Sequence, residues 1–543
     1  MSLTKVTYSM IENAPVNIVD YGAVGNGTTD DSTAFQTAIN ALSAAGGGTI
    51  DLGNRTYVIQ EVVCKSNVNF VGQNATILRP VNTPNFTRLM YIGSDKAGGT
   101  SVTTLIENVS FTGITFNGNI ANQLNSAADY DPVTKTIAFN SAYQQNHSVY
   151  VGAESTGSVG CKNVRFVNCT FNGSQGDGMA INTYAQNVYV TNMYGRACAR
   201  GCFDLFGGSS TVFVDGLKAD DYVHVEVDIT TGGKSTCTMV NCVMSDLSVN
   251  GIYEANSLRV YFTNCVVNGG PTFLQAGGYV TNCTFNIGTA GGTTSHRIIR
   301  SENLVFQSCN FFGTATLLSG PLVSLEPSSG ETRSQLLTFD DCNFEAGWGS
   351  QSVTGIQETV TWHGAAGGQY FVRNCRFRNL FAAIDVKKNG YWYVDNNLYF
   401  LCNAAYAWRQ YSSATVERFV SRNNTWQECN YYGYFDENSN TVGSTSYLYD
   451  TDWIHSSIVF PQFDAPNSYT SVQSVKDRRQ FYSLASEFST STATGTPFAW
   501  NGCRVWITDS DATTEPVLYY KTTNYPSPAD PSGRSWAKLV SIP

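Results

Sequence analysis

The sequence has few charged residues and a negative net charge. Charged side chains make up 14% of its 543 residues, and the net charge is −10. Nucleic acids and anionic membrane surfaces bind clustered Lys and Arg side chains, so this composition argues against both as partners. No stretch approaches 18 consecutive apolar residues, and residues 1–13 contain no apolar segment typical of a signal peptide. We therefore expect neither membrane insertion nor a secretory signal.

The sequence also lacks the cysteine and histidine patterns that are typical of metal sites. It contains 15 Cys and 5 His residues, but no CxxC pair, and Cys198 and Cys202 have no second pair nearby. Structural zinc needs four such ligands at defined spacings. The histidines are scattered, and an isolated histidine is more often incidental than catalytic. We expect no metal and no cofactor.

What the sequence does contain is a short phrase that returns many times between Asn67 and Trp426. In each copy apolar and polar residues alternate, as in a half-buried strand, and the alternation changes parity at one position. A bend of this kind needs a left-handed backbone, which Gly and Asn tolerate best. Most neighbouring bends are 22 to 27 residues apart. The residues at the bends are Gly72, Gly113, Asn168, Asn192, Gly216, Asn241, Asn264, Asn282, Ser308, Asp341, Asn374, Asn396 and Asn423.

A strand–bend–strand unit of this length cannot bury its own inward side chains, whereas stacked copies form a continuous core. The repeat therefore predicts an all-β chain folded as a right-handed, single-stranded parallel β-helix. We expect the residue after the bend, which is often Cys, to form an internal row of small apolar side chains rather than disulfides. These residues are Cys169, Cys242, Cys265, Cys283, Cys309, Cys342 and Cys375.

Both ends of the chain depart from the repeat. Residues 16–21 predict a short strand, and Ser32 to Ala44 predict a helix that covers the open first coil with Phe35, Ile39 and Leu42. After Trp426 the repeat stops. Short strands predicted in residues 504–508, 517–520 and 537–540 need residues 460–481 or other subunits to complete a sheet. The predicted organisation is a leader (1–14), an N-terminal cap with the first strands (15–60), the β-helix (61–435) and a C-terminal β-rich region (436–543).

The N-terminal cap carries the most specific motif of the chain. Val19-Asp-Tyr-Gly-Ala-Val-Gly-Asn-Gly-Thr-Thr-Asp-Asp31, followed by Ala34-Phe-Gln-x-Ala-Ile39 and Gly46-Gly-Gly-Thr-Ile50, resembles the opening of proteins of the pectate-lyase-like superfamily. Within that superfamily the leader and the length resemble bacteriophage tailspikes and capsule depolymerases. The resemblance covers roughly residues 15–430.

This resemblance implies a virion protein made in the host cytoplasm and acting at the host cell surface. It implies a homotrimer that is attached to the phage tail through its N-terminal region and that binds and cleaves a bacterial O-antigen or capsular polysaccharide. It also implies that the C-terminal region serves in trimerisation or glycan binding.

Carboxylates that recur one coil apart are the candidate catalytic residues, because a β-helix presents a straight lane of outward side chains to an extended polymer. Asp204 precedes Glu226 and Asp228 by one coil, and apolar neighbours are predicted to point inward. Glycosidic hydrolysis needs one carboxylic acid and one carboxylate, and neighbouring like charges raise the pKa of one of them. We predict Asp204 with Glu226 or Asp228 as this pair. Tailspikes place such a pair in a similar region of the β-helix.

Other residues and other functions stay open. The candidate substrate-binding residues are Asp177, Tyr253 and Glu254, although Asp177, in a Gly-Asp-Gly turn, also fits a structural role. Tyr391 and Tyr393, which flank Trp392, are predicted to point outward as sugar platforms or subunit contacts. A site between subunits is possible, and so is a second carboxylate cluster of Glu326, Glu358 and Asp385, downstream of His296, Arg297 and Arg300.

Two functions compete with hydrolysis. A lyase would hold Ca²⁺ and a uronate with its carboxylates and abstract a proton with Lys or Arg. An adhesin would bind the glycan without cutting it.

Overall fold

A computed structural model gives the fold of the chain, which divides into two compact units, Met1–Gly278 and Tyr279–Pro543. The structure describes residues 14–94, 103–123, 145–154, 159–219, 224–229, 233–251, 258–269, 272–274, 276–288, 296–299, 302–314, 319–326, 336–347, 353–358, 368–386, 390–402, 404–408, 418–427, 431–435, 447–454, 479–482, 504–507, 517–521 and 536–541.

The first unit contains three ladders of parallel strands, and each turn of the chain adds one strand to each ladder. The strands of the first ladder are Val16–Asn17, Gly48–Gly53, Val68–Leu78, Ile106–Asn117, Cys161–Val167, Ala185–Thr191, Thr211–Asp215, Ser235–Val240 and Leu258–Thr263. The strands of the second ladder are Asn26–Asp30, Thr56–Val58, Thr170–Asn172, Tyr194–Arg196, Lys218–Ala219, Val243–Met244 and Val266–Val267, together with the second halves of Val68–Leu78 and Ile106–Asn117. The strands of the third ladder are Val62–Val63, Met90–Ile92, Val149–Val151, Met179–Ile181, Phe203–Leu205, His224–Ile229, Asp246–Gly251 and Thr272–Leu274.

The second unit repeats the same plan, and the strand Ala276–Thr281 lies at the boundary between the units. Its first ladder is Glu302–Gln307, Leu336–Asp340, Gly368–Arg373, Gly390–Asp395, Arg418–Gln427 and Tyr447–Ile454. Its second is Thr284–Ile287, Asn310–Gly313, Asn343–Ala346, Arg376–Arg378 and Leu398–Phe400. Its third is His296–Ile299, Gly320–Glu326, Val353–Glu358, Ala382–Val386, Ala404–Trp408 and Tyr431–Phe435. The predicted right-handed parallel β-helix is confirmed.

The bend between the first and second ladders has the predicted left-handed backbone. Every bend residue named from the sequence except Gly72 has a positive φ; there the strand runs on, and Asn74 has a φ of 68°. Neighbouring side chains form a row of hydrogen bonds, as from Asn192 Nδ2 to Asn168 Oδ1 at 3.0 Å and from Asn396 Nδ2 to Asn374 Oδ1 at 2.8 Å. Each bond joins one turn to the next, so the row stabilises both the bend and the register.

A second asparagine row was not predicted. It lies in the first ladder of the first unit, where the left-handed residues Asn67, Asn108, Asn163 and Asn187 are linked by side-chain hydrogen bonds of 3.0 to 3.3 Å. In the sequence these residues resemble ordinary polar strand positions, because the parity of the apolar residues does not reveal the bulge.

The interior is filled by rows of aromatic side chains and thiols. Phe111 stacks between Phe70 and Phe166 with ring centroids 4.8 and 5.0 Å apart, and Phe344 stacks between Phe311 and Phe377 at 4.8 and 4.7 Å. The thirteen described cysteines are buried thiols outside any disulfide, as predicted for the seven that follow a bend. Each buried Phe contributes roughly 1.5–3 kcal/mol of hydrophobic stabilisation.

The N-terminal cap matches the prediction in its helix but not in its first strand. The helix Ser32–Ala44 buries Phe35, Ile39 and Leu42. The N-cap residue Asp31, just before the helix, makes no side-chain capping bond. Its carboxylate instead accepts hydrogen bonds from the backbone N–H groups of Val24 (2.6 Å) and Gly25 (3.1 Å). The predicted strand at residues 16–21 was wrong beyond Val16–Asn17, because the chain turns into the 3₁₀ helix Ile18–Tyr21. Ile120–Asn122 forms another 3₁₀ turn.

The C-terminal region begins later than the repeat indicated. The strand Tyr447–Ile454 pairs in parallel with Arg418–Gln427, so the first ladder continues past Trp426. A four-stranded sheet follows, with Arg479–Tyr482 parallel to Arg504–Ile507, and with Val517–Lys521 and Trp536–Ser541 added antiparallel. The three predicted C-terminal strands are confirmed. None of the described helices has the length and hydropathy that crossing a bilayer requires.

The bend row predicts the stability of variants at Asn192. Asn192→Ala keeps the left-handed backbone (φ 53°) but removes the side-chain hydrogen bond that supports it, and it should lower the free energy of unfolding by about 1–2 kcal/mol. Asn192→Gly, which keeps the backbone freedom, should cost less. Asn172→Ala, at a strand position with no positive φ, is the control. Equal thermal unfolding midpoints for the Asn192→Ala and Asn172→Ala variants would contradict this role.

Candidate active site on the third ladder

The candidate site is built on one column of the third ladder in the first unit. The parallel pairing places Tyr150, Ala180, Asp204, Glu226 and Ser248 side by side in successive strands. Alternation along the strand Phe203–Leu205 puts Phe203 and Leu205 on the opposite face from Asp204, with both apolar side chains in the core. The predicted pairing of Asp204 with Glu226 across one coil is therefore present.

The burial of Asp204 differs from the expected open lane. Its side chain has 0% exposure, whereas Glu226 keeps 22% of its side-chain surface in contact with solvent. The Arg200 guanidinium lies between them, with Nη2 at 3.2 Å from Asp204 Oδ2 and 3.6 Å from Glu226 Oε2. Asp204 points outward but is not exposed, because the side chain of Arg200, from the loop just before the strand, packs over it.

Asp177 joins this group from the turn before the strand Met179–Ile181. Its Oδ2 lies 3.4 Å from Arg200 Nη1 and 3.0 Å from Nδ1 of the fully buried His147. The backbone N–H of Asp177 also donates to His147 Nδ1 at 3.1 Å, and His147 Nε2 contacts Gln145 Oε1. Burial lowers the pKa of His147 despite the neighbouring carboxylate, which favours the neutral imidazole as acceptor of that N–H.

The carboxylates of Asp177, Asp204 and Glu226 approach one another within 4.8 Å. Burial, and then the charges of Asp177, Glu226 and Asp228, raise the pKa of Asp204 well above 3.8, although Arg200 opposes the shift. Burial by itself would lower the pKa of Arg200, but the surrounding carboxylates outweigh it and raise the pKa above its usual range. The group therefore contains one carboxyl that favours the neutral acid and a guanidinium that stays charged.

The spacing of these three carboxylates also matches a set of cation ligands. Here the Arg200 guanidinium contacts all three of them and supplies the positive charge of the cluster.

The other predicted residues have mixed outcomes. Asp228 lies two residues after Glu226 in the same strand, beside Asn250, and its charge acts on Asp204. Tyr253 and Glu254 lie outside the described residues. In the second unit Tyr391 is exposed, as predicted, and Trp392 beside it is buried. Tyr393 stacks on Phe371 with ring centroids 4.9 Å apart.

The second carboxylate cluster does not form as predicted. Asp385 pairs in register with Gln357, whose amide donates to its Oδ2 at 2.7 Å, whereas Glu358 pairs with Leu325. Glu358 and Asp385 therefore lie on opposite faces of the ladder. Burial, and then the charge of Glu358, raise the pKa of Tyr370. Only the backbone of Glu326 is described, at the end of Gly320–Glu326, and Arg300 lies outside the described residues. His296 and Arg297 are described only as strand backbone.

The sequence did not single out three residues that hold the site together. Arg200 and His147 contact the carboxylates directly, and the buried Arg79 donates to the carbonyl oxygens of Asn146 (3.2 Å), His147 (2.7 Å) and Thr87. Arg79 thus holds the segment that carries His147. The available signal was the position of Arg200, four residues before Asp204; His147 and Arg79 carried none.

Aromatic residues continue the column beyond Ala180. The Arg88 guanidinium lies 3.6 Å from the Tyr150 ring centroid and pairs with Glu154 at 2.7 Å. The Tyr150 hydroxyl accepts a hydrogen bond from Asn182, and burial raises the pKa of Tyr150 to about 12. At this end of the face, Arg88 therefore packs on Tyr150 and its charge is balanced by Glu154.

Residues 15–224 match the family model described as "Rhamnogalacturonase A/epimerase, pectate lyase-like". The matched segment contains the opening motif, the cap and the turns that carry Asp177 and Asp204, and it folds as stacked parallel strands. Residues 15–224 of the chain thus match a family of the pectate-lyase-like superfamily. This confirms the family that the opening motif indicated.

The chain is also similar to two curated proteins over short segments. It is 29% identical over 184 residues to the plasmin and fibronectin-binding protein A of Streptococcus pneumoniae, which is 30% of this chain and 24% of that protein. It is 37% identical over 98 residues to the iota-carrageenase of Alteromonas macleodii, 18% of each chain. The chain thus spans less than a quarter of the length of these relatives.

A similar solved structure is that of a tailspike protein mutant of E. coli bacteriophage HK620 in complex with pentasaccharide. The TM-score is 0.44 and the sequence identity 13%, over 76% of this chain and 79% of that chain.

The raised pKa of Asp204 predicts a pH-dependent stability difference. The folded protein keeps a proton on Asp204 that the unfolded chain releases above about 3.8, so the free energy of unfolding falls as pH rises through the folded-state pKa. Asp204→Asn removes this loss, and its stability relative to wild type should therefore increase with pH. Unfolding midpoints from pH 4 to 8 test this. Glu107→Gln is the control, and a pH-independent difference for Asp204→Asn would refute the argument.

Proposed function

We propose that this protein hydrolyses glycosidic bonds of a polysaccharide, with Asp204 as general acid and Glu226 as the carboxylate that acts at the anomeric carbon. The observation that carries the proposal is the asymmetry of the pair. Asp204 is fully buried with a raised pKa, and Glu226, in register beside it, is partly exposed. Two carboxyl groups in environments that separate their pKa values are what acid–base hydrolysis requires.

In this mechanism Asp204 donates its proton to the glycosidic oxygen as the bond to the anomeric carbon breaks. Glu226 either removes a proton from the attacking water or attacks the anomeric carbon itself, and water then releases the product. Arg200 stabilises the ionised Glu226, and a bound sugar ring has to displace its guanidinium from Asp204, which Arg200 contacts at 3.2 Å. Asp177, held by His147, positions Arg200.

A lyase mechanism is less compatible with this geometry. It needs a basic side chain that is uncharged and can remove a proton from carbon. The carboxylates keep Arg200 charged by raising its pKa, and His147 is fully buried behind Asp177. The described residues of this cluster include no other basic group.

We further propose the biological setting of a phage tailspike. In this setting the protein forms a homotrimer, attaches to the phage tail through its N-terminal region, and cleaves an O-antigen or capsule at the host cell surface. The support is the opening motif between Val19 and Asp31 with the long repeat behind it, and the name of the related iota-carrageenase, which marks that protein as acting on a polysaccharide.

Oligomeric state tests this setting. Light scattering after size exclusion should give three times the chain mass of 59.1 kDa, and a monomer would contradict the tailspike proposal.

Activity of site variants tests the proposed mechanism. Asp204→Asn and Glu226→Gln should each lower the rate of reducing-end release from host polysaccharide by about 10²–10⁴-fold, as expected for loss of an acid or base. Glu107→Gln, a carboxylate of the first ladder outside the site, should keep wild-type activity. The wild-type rate should also fall as pH rises through the raised pKa of Asp204.

Different outcomes would favour other functions. Polysaccharide that binds without new reducing ends would identify an adhesin. Products that absorb in the ultraviolet and disappear with a chelator would identify a lyase. Full activity of Asp204→Asn would exclude the assignment of the acid.

A further inference from the structure

We propose that the site binds uncharged sugar residues and excludes glycans that place a carboxylate or sulfate group there. This inference rests on the proposed function and adds the substrate class. It is carried by the charges of the site and by the partners that its arginines already have.

The local charge around Asp204 is negative. Among the described residues, the charged groups that act on it are the carboxylates of Asp177, Glu226 and Asp228 and the guanidinium of Arg200. With Asp204 protonated for catalysis, three carboxylates still face one cation. An acidic sugar brought against this group would meet like charges in a partly buried setting, where they are weakly screened.

The two arginines described on this face are already paired. Arg200 contacts Asp177, Asp204 and Glu226, and Arg88 is 1% exposed and pairs with Glu154 at 2.7 Å. Proteins recognise sugar carboxylates and sulfates mainly through such guanidinium groups. To bind one here, Arg200 would have to leave the carboxylate of Asp177, which is fully buried. A buried charge that loses its partner is strongly destabilising.

The sequence of this part of the chain is rich in acidic residues. Between Arg200 and Ser257 the chain has eight carboxylates and three Lys or Arg residues. The composition of this segment thus matches the charge of the described cluster.

The next positions of the same face carry neutral polar groups. Ser248 pairs in register with Glu226, and Asn250 pairs with Asp228. Both are half-buried. Hydroxyl and amide groups exchange hydrogen bonds with sugar hydroxyls without requiring a charge on the ligand. These described positions therefore offer hydrogen-bond partners for the hydroxyl groups of an uncharged sugar.

A glycan panel tests the inference. Reducing-end release is measured on uncharged bacterial polysaccharides, on polygalacturonate and alginate as uronate polymers, and on carrageenan as a sulfated polymer, each with and without added Ca²⁺. We expect cleavage only among the uncharged polysaccharides, with no gain from Ca²⁺. Cleavage of a uronate or sulfated polymer at a comparable rate, with or without Ca²⁺, overturns the inference. It leaves the proposed hydrolysis intact when the products do not absorb in the ultraviolet, whereas ultraviolet-absorbing products overturn both.

If no polymer is cut, the proposed function fails, and binding then decides the inference. Wild-type protein and Glu226→Gln are applied to an array of the same polymers. Retention of uncharged glycans alone supports the inference. Retention of acidic glycans, or of none, overturns it.

A charge-reversal variant tests the physical cause. Asp228→Lys should tighten the binding of uronate oligosaccharides about tenfold at low ionic strength, and high salt should remove most of the gain. Glu107→Lys changes the net charge equally but lies in the first ladder, so its affinity should stay at the wild-type level. Equal affinities for both variants would show that charge at the site does not select the substrate.

Discussion

The left-handed bend between the first and second ladders is the constraint on which the rest of the structure depends. At each bend an Asn, Gly, Ser or Asp adopts a backbone that most side chains avoid, and the asparagine amides are hydrogen-bonded from one turn to the next. Because the row joins the same position of successive turns, it also holds the strands in register. Register in turn decides which residues of the third ladder become neighbours, and hence that Asp204 lies beside Glu226.

The site illustrates how burial converts a row of acids into groups with different roles. Ionising all three carboxylates around one guanidinium is unfavourable in a buried setting, because like charges repel and burial removes their hydration. The fully buried Asp204 therefore favours its neutral form, while Glu226 keeps contact with solvent. The same arrangement keeps Arg200 charged and engaged. One cluster of charges therefore favours an acid–base pair and at the same time disfavours both a lyase base and the binding of an anionic sugar.

The superfamily fold does not by itself assign the chemistry. The proteins that match parts of this sequence have names that describe a carrageenase, epimerases and a plasmin- and fibronectin-binding protein, so the activity has to be argued from the side chains on the outer face. Here the side chains along one column of that face differ in charge and packing. It runs from the packed Arg88 and Tyr150, through the carboxylate cluster, to the neutral Ser248. The charged part is narrow, and it coincides with the positions where the proposed reaction needs an acid and a base.

The sequence alone determined the repeat, the bends, the buried thiol row, the helix Ser32–Ala44 and the neighbouring positions of Asp204 and Glu226. These features follow from local backbone preference and from counting along coils of regular length. Counting failed for Glu358 and Asp385, because longer inserts hid a shift of one residue that puts them on opposite faces. Only the tertiary structure decided that Arg200 packs over Asp204, that His147 and Arg79 support Asp177, and that Asp204 is buried. Those contacts join turns and loops whose paths depend on how successive coils pack, which no spacing in the sequence records.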